Sequence, residues 1–257
     1  MSIRVDIKSN DPRWLKILCY PKPKEEEASR RKEELASLGI KLVEFIGRSS
    51  INGVNVLGKG CVSVAVLAYG DQARYALKIR RVDANRESME HEAALLRFAN
   101  KLGVGPRLIG FSKNFLVMEY VDGLPIDEWL LKKQPATIEL KRLLLNLLTQ
   151  CRKMDKAGLS HGELSTAKRH VIVAKDGTPY IIDFETSSLT RKASNVTAIC
   201  SYLLTRSQAS SKVTSTLNIQ KTEVFNALRA YKHSITDEAF NRLLGALNLI
   251  SEAENLL

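Results

Sequence analysis

Apolar positions recur with two different periods along this chain. Between Ile40 and Ile79 they fall into short runs of β type, KLVEFI, VNVL, VSVAVLAY and RYALKI, separated by Gly47, Asn52-Gly53, Gly58-Lys59-Gly60 and Gly70-Asp71. Runs of this length between turn residues predict an antiparallel meander. The stretch from Arg86 to Leu102 instead repeats Met89, Ala93, Leu96 and either Ala99 or Asn100 at helical spacing, and Gly103 closes it. PRLIGF and FLVMEYV predict two further strands. After Asp122-Gly123 the pattern is helical, in DEWLLKK and then IELKRLLLNLLTQCRKMDKAG, whose leucines cover more than one face and predict a buried helix. HVIVA and YIIDF, joined by Lys175-Asp176-Gly177, read as a strand pair. Helices resume from Asn195 to Leu204 and in two amphipathic stretches toward the C-terminus, while SQASSKVTSTLN between them reads as a polar loop.

Upstream, PKEEEASRRKEELASL places Pro23 early, three Glu in a first turn and basic residues further on, in accord with a helix dipole. Its apolar content, Ala28, Leu35 and Leu38, is thin. The helix is therefore expected on a surface, either bracing the β-rich region or presenting a docking face. The patterns divide the chain into an N-terminal extension (1–39), a β-rich lobe (40–121) and a helical lobe (122–257), an α+β architecture.

With 257 residues, 44% hydrophobic and 26% charged, the chain can bury one sizeable core, divisible between two lobes, and is not a disordered or low-complexity sequence. Lys and Arg number 39 against 28 Asp and Glu, a formal charge of +11 that suits a partner rich in phosphate: nucleotide, nucleic acid or anionic lipid. The alternative is a merely basic protein. Cys19, Cys61, Cys151 and Cys200 lie far apart with no C-x-x-C pair, which excludes a zinc knuckle and a dithiol motif and reads as reduced thiols. Arg4, Asp6 and Lys8 break the apolar run that a signal peptide needs, and no uncharged stretch is long enough to span a bilayer. A cytoplasmic location without membrane association is expected.

Candidate chemistry lies in an ordered set of motifs. Gly58-Lys59-Gly60-Cys61-Val62-Ser63 sits between β-type runs and suits a hairpin tip that approaches phosphates, although Ser63 stands where a third glycine would complete G-x-G-x-x-G. Tyr75-Ala76-Leu77-Lys78 puts a lysine on a strand, and Glu92 on the following helix, facing inward on the stripe of Leu96, can pair with it better than Glu90. FLVMEYVDG fits a hinge, with Met118 facing a base pocket and Glu119 and Val121 offering backbone groups to adenine. Ser160 to Lys168, SHGELSTAK, precedes the strand pair that ends in Ile182-Asp183-Phe184-Glu185. This order can bring two carboxylates together, one to receive a hydroxyl proton and the other to hold Mg2+.

From Leu57 to about Leu204 the chain resembles the protein kinase-like superfamily. LGVGPRLIGF, MEYVDG and HGELS are similar to its small atypical branch of RIO-type, KEOPS-associated and lipopolysaccharide-kinase-like proteins, and to predicted archaeal Ser/Thr protein kinases. The resemblance implies a bilobal fold with ATP between the lobes, Gly58, Lys59 and Gly60 over the phosphates, Lys78 paired with Glu92 and Asp183 on Mg2+. No A-P-E follows, so a long activation segment and its regulation by phosphorylation are not expected.

Three positions depart from the usual H-R-D-x-x-x-x-N and D-F-G patterns. Glu163 holds the place of the catalytic Asp, keeping a carboxylate, longer by one methylene, that serves as base or orienter. Lys168 holds the place of the metal-binding Asn, and an ammonium cannot ligate a cation, although its charge can neutralise a phosphate. Glu185 replaces the Gly after Phe184, reducing backbone freedom and adding a carboxylate available to a metal. The resulting expectation is an ATP-dependent Ser/Thr protein kinase with a protein substrate. The alternative is a pseudokinase that binds nucleotide with little or no transfer; a small-molecule kinase or an ATPase associated with nucleic acid or ribonucleoprotein is permitted by the charge.

The remaining candidates take plainer readings. His161 is a structural hydrogen-bonding group, and His91, His170 and His233 show no metal-ligand spacing. Cys61 is a small packing residue, Trp14 and Trp129 are anchors, and Asn195 is an N-cap. Related kinases often carry an acidic residue in the helix that begins there, tying down the catalytic loop, so the amide implies a weaker or different tether.

Overall fold

Strand alternation decides which side of the N-terminal sheet each residue serves. The computed structural model describes residues 3–71 and 73–250, grouped in two compact units, Met1–Arg97 with Pro106–Val121 and Phe98–Gly105 with Asp122–Leu257. The α+β division expected from the sequence is present, strands dominating the first unit and helices the second.

In the first unit the strands are β1 (Ile3–Asp6), β2 (Leu42–Phe45), β3 (Ser49–Ile51), β4 (Val54–Val56), β5 (Gly58–Lys59), β6 (Ser63–Tyr69), β7 (Arg74–Arg80), β8 (Leu108–Phe111) and β9 (Phe115–Glu119). They pair antiparallel in the order β1-β2-β6-β7-β9-β8, with β5 on β6 and β3-β4 as a separate hairpin. Asn52 and Gly53 turn that hairpin with φ of 49° and 79°, the left-handed pair that a two-residue connection requires. Val64, Val66, Ala68, Leu77, Ile79, Phe115 and Val117 bury one face of the sheet against Trp14, Ile17 and Leu18 of α1 (Pro12–Leu18) and Ala28 and Leu35 of α2 (Glu25–Ser37). Each of these large side chains contributes roughly 1.5–3 kcal/mol by leaving water. Lys78, opposite Ala65 on β6 and Leu116 on β9, belongs to the other face.

The residues ahead of α2 form more structure than the sequence indicated. β1 joins the sheet edge, Asp11 caps α1 by accepting the Arg13 N–H at 2.8 Å, and Trp14 donates its Nε1–H to the Ile7 carbonyl at 2.9 Å. The thin apolar stripe of α2 is supplemented by a fully buried arginine. Arg31 donates to the carbonyls of Leu18 and Arg80, each at 2.7 Å, to Asn114 Oδ1 at 3.1 Å and to Glu27 Oε1 at 2.7 Å. Glu34 accepts from both the backbone N–H and the side-chain amide of Asn114 at 2.8 Å. A polar network thus docks α2 against the strands, the bracing role among the two considered.

α3 (Glu90–Lys101) presents Glu92, Ala93, Leu96 and Ala99 as buried positions, so Ala99 rather than Asn100 continues its stripe. In the second unit β10 (Gly123–Pro125) precedes α4 (Ile126–Lys133) and α5 (Thr137–Lys156), whose Leu140, Leu143, Leu144, Leu147, Leu148, Cys151 and Met154 are buried. β11 (Val171–Ala174) and β12 (Pro179–Ile181) complete a three-stranded antiparallel sheet ordered β10-β11-β12. Gly123 is a strand residue that approaches β11 so closely that a Cβ would collide with the Val173 carbonyl. α6 (Asn195–Ser201) runs into a wider π-type turn, Tyr202–Arg206.

The Ser/Thr-rich segment expected as a loop contains α7 (Ser210–Thr216), ahead of α8 (Lys221–His233) and α9 (Asp237–Ala246). Ala209, Val213 and Leu217, four residues apart, are its buried anchors. Ser207 fixes its start, donating to Asp127 Oδ1 at 2.8 Å and accepting the Ala209 N–H at 3.0 Å.

Candidate active site

In the first unit, Lys78 on β7 and Glu92 on α3 form an ion pair of 2.5 Å, and both residues are buried, whereas Glu90 is exposed. Taking both charges out of water costs more than a surface pair would, so the pair contributes little net stability and demands another reason for its presence.

Lys78 shares its sheet face with Met118, which pairs with Ala76 on β7 and is buried. Glu119, next on the strand, already donates its backbone N–H to the Arg107 carbonyl at 2.9 Å, and its carboxylate accepts the Arg107 N–H at 3.2 Å. Val121 follows outside the strand.

Gly58 and Lys59 pair with Ala65 and Val64 in the hairpin, and Gly60 donates its N–H to the Ser63 carbonyl at 2.8 Å. A Cβ at Gly58 would meet nothing nearer than 3.9 Å, so glycine here leaves bare backbone rather than relieving a clash. The Lys59 ammonium lies over the Tyr20 ring at 5.0 Å, beside Arg81 at the same distance, and Arg81 also donates to the Gly60 carbonyl at 3.0 Å. Cys61 is exposed at the tip, not a packing residue, because the chain turns outward there between paired strands.

In the second unit the segment 160–168 is held from below. The backbone N–H of fully buried His161 donates to Asn195 Oδ1 at 2.9 Å, and Asn195 Nδ2 donates to the Leu159 carbonyl at 2.7 Å and to Asp155 Oδ1 at 2.8 Å. Asp155, on α5, further accepts the backbone N–H groups of Asn195 and Val196 at 2.7 and 3.1 Å and the Tyr231 hydroxyl at 3.3 Å. Burial holds its carboxyl above the usual aspartate value although these bonds pull the other way, and burial beside Asp155 raises the Tyr231 hydroxyl. Asn195 is therefore no N-cap: it is the first residue of α6, Ser194 precedes it, and its side chain ties the loop.

A second clamp acts from the chain after Asp183. Arg191 donates to Ser160 Oγ at 3.0 Å and to the carbonyls of Ser160 and Thr186 at 3.3 and 3.0 Å. The backbones of Ser160 and Ser188 exchange hydrogen bonds of 2.9 and 2.8 Å. Gly162 has φ of 94°, the left-handed region that favours glycine, and a Cβ there would also push the Arg191 guanidinium aside and crowd the Thr186 carbonyl oxygen at 3.2 Å.

Glu163 Oε2 accepts the Thr186 hydroxyl at 3.1 Å. Asp183 adopts φ of 70°, a left-handed conformation uncommon outside Gly, Asn and Asp. Between the two carboxylates stands His170, its Nε2 3.8 Å from Glu163 Oε2 and its Nδ1 3.8 Å from Asp183 Oδ2. Ligand atoms of Glu163, His170 and Asp183 all lie within 4.8 Å of one another, a donor set that fits a divalent cation. His170, which sequence spacing did not mark, is thus central here, while Lys168 lies exposed on the 3-10 turn Leu164–Arg169. The overlooked signal is that His170 directly precedes β11. Glu185 follows two residues after Asp183, half-buried on the same loop.

A family model of the RIO domain matches residues 67–197, half of the chain. The chain belongs to the RIO family. It is accordingly a member of an atypical, kinase-like family of ATP-binding phosphotransferases. The RIO match takes in Lys78, Glu92, Met118, Glu119, Val121, Glu163, Lys168, His170, Asp183, Glu185 and Asn195, and begins within β6, after the Gly58–Gly60 turn. No curated protein matches the chain. Among the described residues, no helix is long and apolar enough to cross a membrane.

Proposed function

We propose that this RIO-family protein is a Ser/Thr protein kinase that transfers the γ-phosphate of ATP to a protein hydroxyl. The observation that carries this reading is the buried Lys78–Glu92 pair, which is costly as a structural element and suited to presenting an oriented ammonium to nucleotide phosphates. When bound, ATP with a divalent cation supplies the γ-phosphoryl group and the charge neutralisation that its transfer needs.

The chain's own residues divide the remaining work. Lys78, oriented by Glu92, meets the phosphates, Gly58, Lys59 and Gly60 lie over them, and the Met118–Val121 segment receives the adenine. Asp183, supplemented by Glu185, holds the cation, and Glu163, steadied by Thr186, receives the proton of the acceptor hydroxyl. Lys168, on its exposed turn, adds charge near incoming phosphate. The net charge of +11 supports an acidic or phosphate-rich partner, nucleic acid or ribonucleoprotein included, and the four free cysteines support a reducing, cytoplasmic setting.

The test is Mg2+-dependent transfer from γ-labelled ATP by the full chain to itself and to Ser/Thr acceptors, with Asp183→Ala as the comparison and nucleotide thermal shifts in parallel. Transfer in the wild type that disappears in Asp183→Ala is expected. Nucleotide binding without transfer would replace this reading with that of a pseudokinase, and absence of both would remove the nucleotide site.

A further inference from the structure

We propose that His170 supplies a nitrogen ligand to the divalent cation, so that the site selects Mn2+ over Mg2+; this rests on the reading of Asp183 as a metal-binding residue. Counting forward from His161 puts Lys168 at the metal-binding position, whereas counting back from the first residue of β11 puts His170 there. The two counts differ by two residues, and burial separates the two candidates. Lys168 ends up exposed, and His170 is buried, 6% exposed.

His170 is held through its backbone and packed through its ring. Its backbone carbonyl accepts the Ile182 N–H at 2.9 Å, next to Asp183, and its ring meets the His161 ring edge-on at 5.5 Å. His161 is engaged elsewhere, its Nε2 bonded to the Ile182 carbonyl at 3.0 Å. The 3.8 Å between His170 Nδ1 and Asp183 Oδ2 is shorter than two metal–ligand bonds of about 2.1 Å, so both atoms can reach one cation after a side-chain adjustment toward the separation of neighbouring octahedral ligands.

An imidazole changes which cation is preferred. Mg2+ favours an all-oxygen octahedron and gives up water reluctantly, while Mn2+ accepts imidazole nitrogen and still binds carboxylate and phosphate oxygen. Glu163, on the Nε2 side at 3.8 Å, stays available to orient the ring or to meet the acceptor. Two residues that conventional spacing would assign to separate tasks are thereby coupled through one ring.

The test is pulsed electron paramagnetic resonance of Mn2+ added to the full chain, with and without ADP, alongside competition between Mn2+ and Mg2+. Nitrogen modulation from a directly bound imidazole is expected in the wild type, altered by 15N-histidine labelling, lost in His170→Asn and kept in Lys168→Asn. The ratio of Mn2+ to Mg2+ affinity is expected to fall at least ten-fold in His170→Asn, which retains an oxygen donor. Failure of Mn2+ to bind, bound Mn2+ without nitrogen modulation, or modulation that persists in His170→Asn overturns the inference. If His170→Asn does not fold, the isotope effect in the wild type decides alone. An ADP thermal shift without nitrogen modulation defeats the role of His170 and leaves the nucleotide site standing; modulation without any response to ADP does the reverse.

Discussion

The side-chain oxygen of Asn195 accepts the backbone N–H of His161 at 2.9 Å, and the same amide rests on the buried carboxylate of Asp155. A neutral group thus relays a buried acid to the loop that carries Glu163. Asn195→Ala removes the relay and strips Asp155 of one partner in a buried site. The expected cost is about 3 kcal/mol in denaturant-unfolding stability, with a larger loss of phosphotransfer than of nucleotide binding. Equal losses in both would show that the amide only supports the fold.

Asp155 also sets a pH dependence. Its folded carboxyl titrates above the ordinary value of 3.8, so the native state binds the proton more tightly than the unfolded chain does. This contribution is fully present below the unfolded value and is lost as pH rises through the raised native one. Measured against Asp155→Asn, the wild type should therefore lose relative stability as pH rises from acid toward neutral. A relative stability that climbs over that interval would contradict burial as the dominant cause.

The Lys78–Glu92 pair allows stability to be separated from function. Removing either partner alone leaves a buried charge, and Lys78→Met is expected to destabilise by about 3 kcal/mol. The double variant Lys78→Met, Glu92→Leu should unfold at a denaturant concentration close to that of the wild type or higher, yet bind ATP at least ten-fold more weakly. A double variant with wild-type affinity would remove the pair from the nucleotide site.

Arg31 makes a contrasting prediction, because its donors meet acceptors from three parts of the chain. Arg31→Lys should be nearly as damaging as Arg31→Ala, on the order of 3 kcal/mol, since an ammonium cannot reproduce the planar fork. Thermal unfolding of the two variants side by side measures this.

Thiol chemistry should single out the glycine turn. Cys61 is exposed, whereas Cys19, Cys151 and Cys200 are buried, and burial raises all three, Cys200 to about 12. Titration of the native protein with an aromatic disulfide at pH 8 should modify one thiol rapidly, none in Cys61→Ser, and the others only on unfolding. ATP is expected to slow the reaction at Cys61 if the turn covers phosphates.

The sequence made the alternating and helical faces readable because burial follows directly from spacing there. Leu77 and Ile79 on one side of β7 and Lys78 on the other, the Asn52-Gly53 hairpin, and the stripe from Met89 to Ala99 needed only local periodicity. The buried polar residues were not readable in this way. Arg31 resembles any charged residue of a surface helix until Asn114, 83 positions away, meets it, and Asn195 acquires its task from Asp155, 40 positions earlier. His170 was obscured because its neighbourhood is set by the fold, which brings Glu163 and Asp183 to either side of its ring. α7 was hidden by composition, since its apolar anchors are few and the serine that fixes the chain ahead of it is held by a distant aspartate.

The seating of α1 and α2 on the strands separates recognisability from foldability. Family likeness begins at residue 67, yet Trp14, Ile17, Leu18 and Leu35 fill the same apolar layer as Val64, Leu77 and Phe115. Cutting the chain at the start of the likeness would expose that layer and remove the guanidinium from beside Asn114. The smallest portion expected to stand alone in water therefore extends some sixty residues ahead of the portion by which the family is known.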